Sequence, residues 1–210
     1  MCGIAGIRFM NPVKGNKNLM VNSLNAIKHR GPDHQSIHTV NNLHLGHARL
    51  SIIDINDRAN QPMLSEDGNY SLVFNGEIFN FGELKNDLLK LGHHFRSSSD
   101  TEVLLKGLIE FGINYVNQLN GFFAFAFYDK GKDELLIARD RMGIKPLLYY
   151  FDEDQFCFAS ELTALMAFDF EKRIRRDALH DLLKFTYVPA PKTMLEGVRK
   201  LEPGTYLKWS

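Results

Sequence analysis

The segment Phe122-Phe123-Ala124-Phe125-Ala126-Phe127-Tyr128 constrains the fold more than any other part of the chain. Read as a strand, it puts Phe123, Phe125 and Phe127 on one face and Phe122, Ala124 and Ala126 on the other, so both faces are apolar. Such a strand must be covered from both sides, which places it at the centre of a layered structure. It is also the longest apolar run, far too short to span a bilayer, and residues 1 to 10 lack the basic and long apolar regions of a signal peptide. The expectation is a soluble, cytoplasmic protein without a membrane partner.

Further strand-like runs occur at 3–9, 36–40, 43–55, 70–74, 135–138, 147–151 and 156–160, with Asn41-Asn42 as a hairpin turn between the second and third. Helical spacing recurs in Leu19, Leu24 and Ile27, in Leu84, Leu88 and Leu91, and in Val103, Leu104, Leu108 and Phe111. The first of these helices stops at His29-Arg30-Gly31-Pro32, and Ser99-Asp100 caps the third. Helices are also expected at about 161–167 and 177–185. This mixture implies sheets layered with helices. The 210 residues suit one large domain, expected over 2–185, and 186–210, with Pro189, Pro191, Pro203 and Gly204, read as an extended exit segment.

Charge and cysteine content narrow the function. Twenty-five basic residues balance twenty-five acidic ones, which gives no global electrostatic reason for a nucleic-acid partner. The two cysteines, Cys2 and Cys157, are expected as free thiols, Cys157 as a small buried hydrophobe. His29, His47, His93 and His94 fall into no metal-ligand spacing, so no metal is assigned.

Cys2 stands directly behind the initiator methionine. Trimming of Met1 would expose an α-amine, whose pKa lies near ~8, beside a thiol, so that one residue supplies both nucleophile and base. Asn75-Gly76 pairs a side-chain amide with an unhindered backbone N–H, which suits an oxyanion hole; the same dipeptide is also a common tight turn. Arg49 is a charge inside a strand-like apolar run, either on a wet sheet face or aimed at a carboxylate. Asp100 is either part of a helix cap or a partner for an ammonium.

Taken in order, Met1-Cys-Gly-Ile-Ala-Gly6, His29-Arg-Gly-Pro-Asp33, Gly46-His-Ala-Arg-Leu-Ser-Ile-Ile-Asp54, Gln61-Pro-Met63, Phe74-Asn-Gly-Glu-Ile78, Ser99-Asp-Thr-Glu102, Leu119-Asn-Gly-Phe122, Ala138-Arg-Asp-Arg141, Gly143-Ile-Lys-Pro146 and Ala159-Ser-Glu161 resemble the glutaminase half of glutamine-hydrolysing asparagine synthetases over almost the whole chain. The resemblance implies an α+β fold, the four-layer αββα sandwich of two mainly antiparallel sheets found in N-terminal nucleophile hydrolases. It implies Cys2 as nucleophile with its freed amine as base, and Asn75 and Gly76 as the oxyanion hole. Arg49 would hold the carboxylate of L-glutamine, Glu77 and Asp100 its ammonium, with backbone contacts near Ile52 and Ile53. The glutaminase half-reaction would need no cofactor. ATP and Mg are expected only in a synthetase domain, downstream or in trans, whose Ser-Gly-Gly-x-Asp-Ser loop is not in this sequence. A homodimer is a further expectation. Phe79 and Phe81 depart from the Tyr and His usual after the Asn-Gly-Glu motif. Two other readings are an amidotransferase with a different ammonia acceptor, as in polysaccharide biosynthesis, and a catalytically silent interaction domain.

Overall fold

The structure is a computed structural model and describes residues 1–10, 17–52, 54 and 56–210. Two antiparallel sheets stack face to face. In the first, β1 (Gly3–Phe9) lies between β3 (Leu43–Arg49) and β9 (Gln155–Ala159), with β2 (His34–Val40) outside β3 and β8 (Leu148–Phe151) and β10 (Arg199–Lys200) outside β9. In the second, β6 (Gly121–Asp129) lies between β5 (Tyr70–Ile78) and β7 (Glu134–Arg139), flanked by β4 (Met63–Leu64) and β11 (Tyr206–Trp209). The doubly apolar strand is therefore central, as its alternation requires.

Its two faces serve two cores. Phe123, Phe125 and Phe127 pack with Leu72 and Phe74 of β5 beneath the apolar stripes of α2 (Phe81–Lys90) and α3 (Asp100–Phe111). Ala124, Ala126 and Tyr128 face the other sheet and meet Ile4, Leu43, Leu45, Phe156 and Phe158. Small alanines on that face let large aromatics from β9 fill the space between sheets. The outer face of the first sheet is covered by α1 (Lys17–Ala26) and α4 (Leu162–Leu165), through Met20, Leu24, Ala164 and Leu165. The order helix, sheet, sheet, helix is the αββα sandwich. Among the described residues no helix is long and apolar enough to cross a membrane, and Cys157 is fully buried among the apolar side chains of the first sheet.

Two expectations need correction, and a third stretch gains detail. β5 does not end at Asn75-Gly76; it continues to Ile78, with Asn75 opposite Ala124 and Gly76 opposite Phe123. Turn preference is local, and here cross-strand pairing overrides it. β3 stops at Arg49; beyond it Leu50–Ile52 and Asp54 lie outside the sheet, and Leu50 and Ile52 line a cavity. The stretch 186–210, read as an exit segment, supplies an edge strand to each sheet: Arg199–Lys200 pairs with β8 and Tyr206–Trp209 with β7. These strands are too short for their sequence to announce them.

Candidate active site

At the end of the sandwich where β1 begins, a cavity of about 210 Å³ opens between the sheets. Cys2, Asn75, Gly76 and Glu77 line it, as do Arg49, Ile52 and Asp100, so residues separated by up to ninety-eight positions in the chain converge on one space. Ile53, also expected here, lies outside the described residues.

Cys2 precedes β1, whose Gly3 pairs with Ala48. That register brings the thiol to the chain just past β3, where the Leu50 N–H points at Sγ from 3.4 Å and the Leu50 carbonyl lies 3.6 Å away. The Arg30 guanidinium donates to the Cys2 carbonyl at 2.9 Å and to Glu161 at 2.8 Å, which fixes the residue from behind. Gly31 allows this approach: a Cβ there would collide with the Ala48–Arg49 backbone. Met1 lies over the cavity beside Lys145, whose Nζ is 3.3 Å from the methionine sulfur.

The opposite wall is β5. Phe123 turns both its N–H and its carbonyl toward Asp140, at 3.3 Å and 2.8 Å, so the Gly76–Phe123 pair is of the non-hydrogen-bonded kind. The edge-facing groups of β5 are then those of alternate residues. Past the two residues of β4 no strand among the described residues covers that edge, and side chains do so instead. The Phe74 N–H donates to Gln61 Oε1 at 2.6 Å, and the Ile78 N–H to Asp100 Oδ2 at 3.1 Å. Between them the Gly76 N–H faces the cavity side. Glycine is needed here because a Cβ would collide with the Phe122 carbonyl oxygen. Asn75 projects between the sheets, only 1 % exposed, and its Nδ2 has no hydrogen-bond partner among the described residues. A buried amide without an acceptor costs stability unless something else supplies one.

His47 closes the space behind this wall. Its Nε2 lies 3.2 Å from the Phe74 carbonyl, an acceptor only, so Nε2 carries the hydrogen. Complete burial pushes its pKa down to about 3, so the ring is neutral.

Arg49 is buried, and its guanidinium donates to the Asn56 carbonyl at 3.1 Å, to Asn60 Oδ1 at 2.5 Å and to the Asp54 carbonyl. A guanidinium has more N–H donors than these three acceptors use. Asp100 opens α3, behind a Ser99 N-cap whose hydroxyl oxygen accepts from the Thr101 N–H at 3.2 Å. Burial pushes the Asp100 carboxyl above the usual range, against the Ile78 and Thr101 N–H groups and the Ser99 hydroxyl, and the nearby negative Glu77 adds to the rise. Such a carboxylate gains from a cation arriving beside it.

Gln61 and Lys145 were not singled out from the sequence as site residues, yet both line the cavity. Gln61 bridges β5 and Thr101 of α3, its Nε2 donating to Oγ1 at 3.3 Å. Lys145 sits on a loop built around the buried Asp140 carboxylate, which accepts from the Met142, Ile144 and Lys145 N–H groups at 3.1, 3.0 and 2.9 Å. Arg139 completes the loop by donating to the Gly143 and Lys145 carbonyls at 2.6 and 2.8 Å. The Gln61 arrangement is long-range and the Lys145 loop is local, and only the neighbouring motifs carried a hint of either. Among the described residues no group of three His, Cys, Asp or Glu converges to hold a metal.

The chain is similar to known proteins over nearly its whole length. A family profile described as a glutamine amidotransferase domain matches residues 1–210. Asparagine synthetase [glutamine-hydrolyzing] 1 of Bacillus subtilis is 38 % identical over 208 residues, which cover 98 % of this chain and 33 % of that protein. A putative asparagine synthetase of Methanocaldococcus jannaschii is 36 % identical over 225 residues, 96 % of this chain and 42 % of that protein. The chain thus spans between a third and a half of the length of these curated relatives. Among solved structures, glutamine phosphoribosylpyrophosphate amidotransferase from B. subtilis superposes with a TM-score of 0.66 at 24 % identity, over 79 % of this chain and 43 % of that one, which shows a shared fold.

Proposed function

The chain belongs to the glutamine amidotransferase domain family, and on that premise we propose that it hydrolyses L-glutamine to L-glutamate and ammonia through a thioester on Cys2. The observation that carries this reading is Asn75 Nδ2, a buried donor with no acceptor among the described residues, next to the Gly76 N–H on the cavity wall that Cys2 shares.

The reaction follows from the arrangement. Once Met1 is removed, the Cys2 α-amine takes the thiol proton, and the thiolate attacks the side-chain amide carbon of glutamine. The oxygen of the tetrahedral intermediate accepts from Asn75 and Gly76, donors held in place before charge develops. Collapse breaks the C–N bond, with the proton passing from the Cys2 ammonium to the departing ammonia. Water, deprotonated by the same amine, then attacks the thioester and releases glutamate and the thiol. Arg49 pairs with the substrate carboxylate, and Asp100, with Glu77 beside it, with the ammonium. Every group used is in the chain or is water.

Two relatives named as asparagine synthetases extend well beyond this region. The ammonia is therefore proposed to pass to a synthetase part, joined to this domain or separate from it, where ATP and Mg activate aspartate. The test of the half-reaction is purified protein given L-glutamine alone, with glutamate and ammonia measured. Equimolar production of both, without nucleotide or acceptor, is expected; no production from protein lacking Met1 refutes the reading.

A further inference from the structure

Arg49 is not held by its own strand. Its contacts run to Asp54, Asn56 and Asn60, and the Asp54 carboxylate itself accepts five hydrogen bonds from described residues. The Asp54 carboxylate is shielded from solvent by its partners, 0 % exposed, in a residue that is half-buried overall. One oxygen accepts from the Asn56 side-chain amide at 2.8 Å and the Asn56 N–H at 3.3 Å. The other accepts from the Ser98 N–H at 2.9 Å, the Ser98 hydroxyl at 3.0 Å and Arg58 Nε at 3.2 Å. The backbone of Asp54 takes a positive φ of 48°, a conformation disfavoured without a side chain fixed by such bonds.

Ser98 comes just before Ser99 and Asp100, the entry to α3, and that loop is tied down in turn. The buried Glu102 carboxylate accepts from the Arg96 N–H at 3.0 Å and from the Ser97 N–H and hydroxyl at 2.7 and 2.6 Å. One carboxylate therefore joins the segment that holds Arg49 to the segment that presents Asp100. Its partners among the described residues all donate to it, which calls for an acceptor with two oxygens, and the Ser98 N–H is foremost among the contacts that hold its carboxyl well below the usual range.

We propose that Asp54 is a positioning residue for substrate recognition: it sets the distance between Arg49 and Asp100, and so the fit of the amino-acid end of the substrate, without touching the substrate. This rests on the reading of the cavity as a glutamine site.

Asp54→Asn keeps the shape but turns an N–H₂ toward groups that are themselves donors. The expected result is a rise of about tenfold in KM for L-glutamine, with kcat little changed, since the tie acts on groups equally engaged in ground and transition states. A double-mutant cycle separates positioning from general loosening. In an Arg49→Ala background, Asp54→Asn should cost less than about twofold more, because the group it positions is gone. Ser98→Ala, which removes one donor and leaves the carboxylate, should move KM in the same direction by a smaller factor and serves if Asp54→Asn does not fold. Calorimetry of L-glutamine on Cys2→Ala protein, with and without Asp54→Asn, gives the affinity independently of turnover. An unchanged KM and affinity in folded Asp54→Asn protein, or additive losses in the cycle, overturns the inference. Glutamine bound but not hydrolysed by the unaltered protein strikes the proposed function alone, and absence of binding overturns both.

Discussion

Where β1 finishes, Arg8 reaches across the sandwich to the Asp133 carbonyl at 2.9 Å and carboxylate at 2.7 Å, Tyr128 donates to the same carboxylate at 2.6 Å, and Asn41 donates to Tyr128 at 3.3 Å. Where β1 begins, between the same two sheets, Asn75 Nδ2 is buried and meets no acceptor among the described residues. The first end pairs its polar groups within the protein, as buried charge and hydroxyl require. The second leaves a donor facing a cavity, which is tolerable where a substrate oxygen is to arrive. An unpartnered atom is not by itself the mark of a site, since Tyr115 and Ser23 also carry one. What distinguishes Asn75 is that it shares a cavity with a thiol, a guanidinium and a raised carboxyl.

Breaking the open end should therefore cost activity more than stability. Cys2→Ala should abolish ammonia release, a loss of at least ~10³-fold, while glutamine binding and the melting temperature are retained. Quantitative retention of Met1 should have the same consequence, read by intact mass against glutaminase rate. Asn75→Ala should lower kcat by ~10²–10³-fold with a much smaller change in KM, because its donor meets charge that exists only in the transition state. Unchanged turnover would return Asn75 to a purely structural role. Arg49→Lys should lower kcat/KM by roughly 10- to 150-fold, mostly through KM, since lysine cannot reproduce the planar grip on a carboxylate.

Asp100→Asn sharpens the contrast, because activity and stability should move in opposite directions. The folded pKa of Asp100 is raised, chiefly by burial, so above the unfolded value near ~3.9 its ionisation opposes folding. Below that value the cost is absent. The variant should have a higher KM, yet a melting temperature at pH 7 equal to or above that of the unaltered protein. Any gain should fade as the pH falls below about 4. At the closed end the converse is expected: Asp133→Ala leaves the Arg8 guanidinium without its carboxylate and should cost about 1–3 kcal/mol in denaturant unfolding, with turnover per folded molecule unchanged.

Much of this contrast is visible before the fold is known. The alternation of Phe and Ala in 122–128 demands a central strand, and Cys2 at the start of a glycine-containing strand suggests its chemistry. What the sequence hides is long-range. Asn75-Gly76 has the composition of a turn, and only its pairing with Ala124 and Phe123 keeps it extended. Gln61 reads as loop until its side chain is seen covering the uncapped edge of β5. Asp54 sits in what looks like the tail of β3, and its role depends on Ser98, forty-four residues away.

The most direct test is to treat purified protein with a glutamine analogue bearing a reactive diazoketone in place of the side-chain amide and to map the adduct by peptide mass. A single adduct on Cys2, formed only in molecules whose first residue is Cys2, with loss of glutaminase activity in proportion and Cys157 untouched, is the predicted result. Full glutaminase activity in protein that retains Met1, or inactivation with Cys2 unmodified, would contradict it.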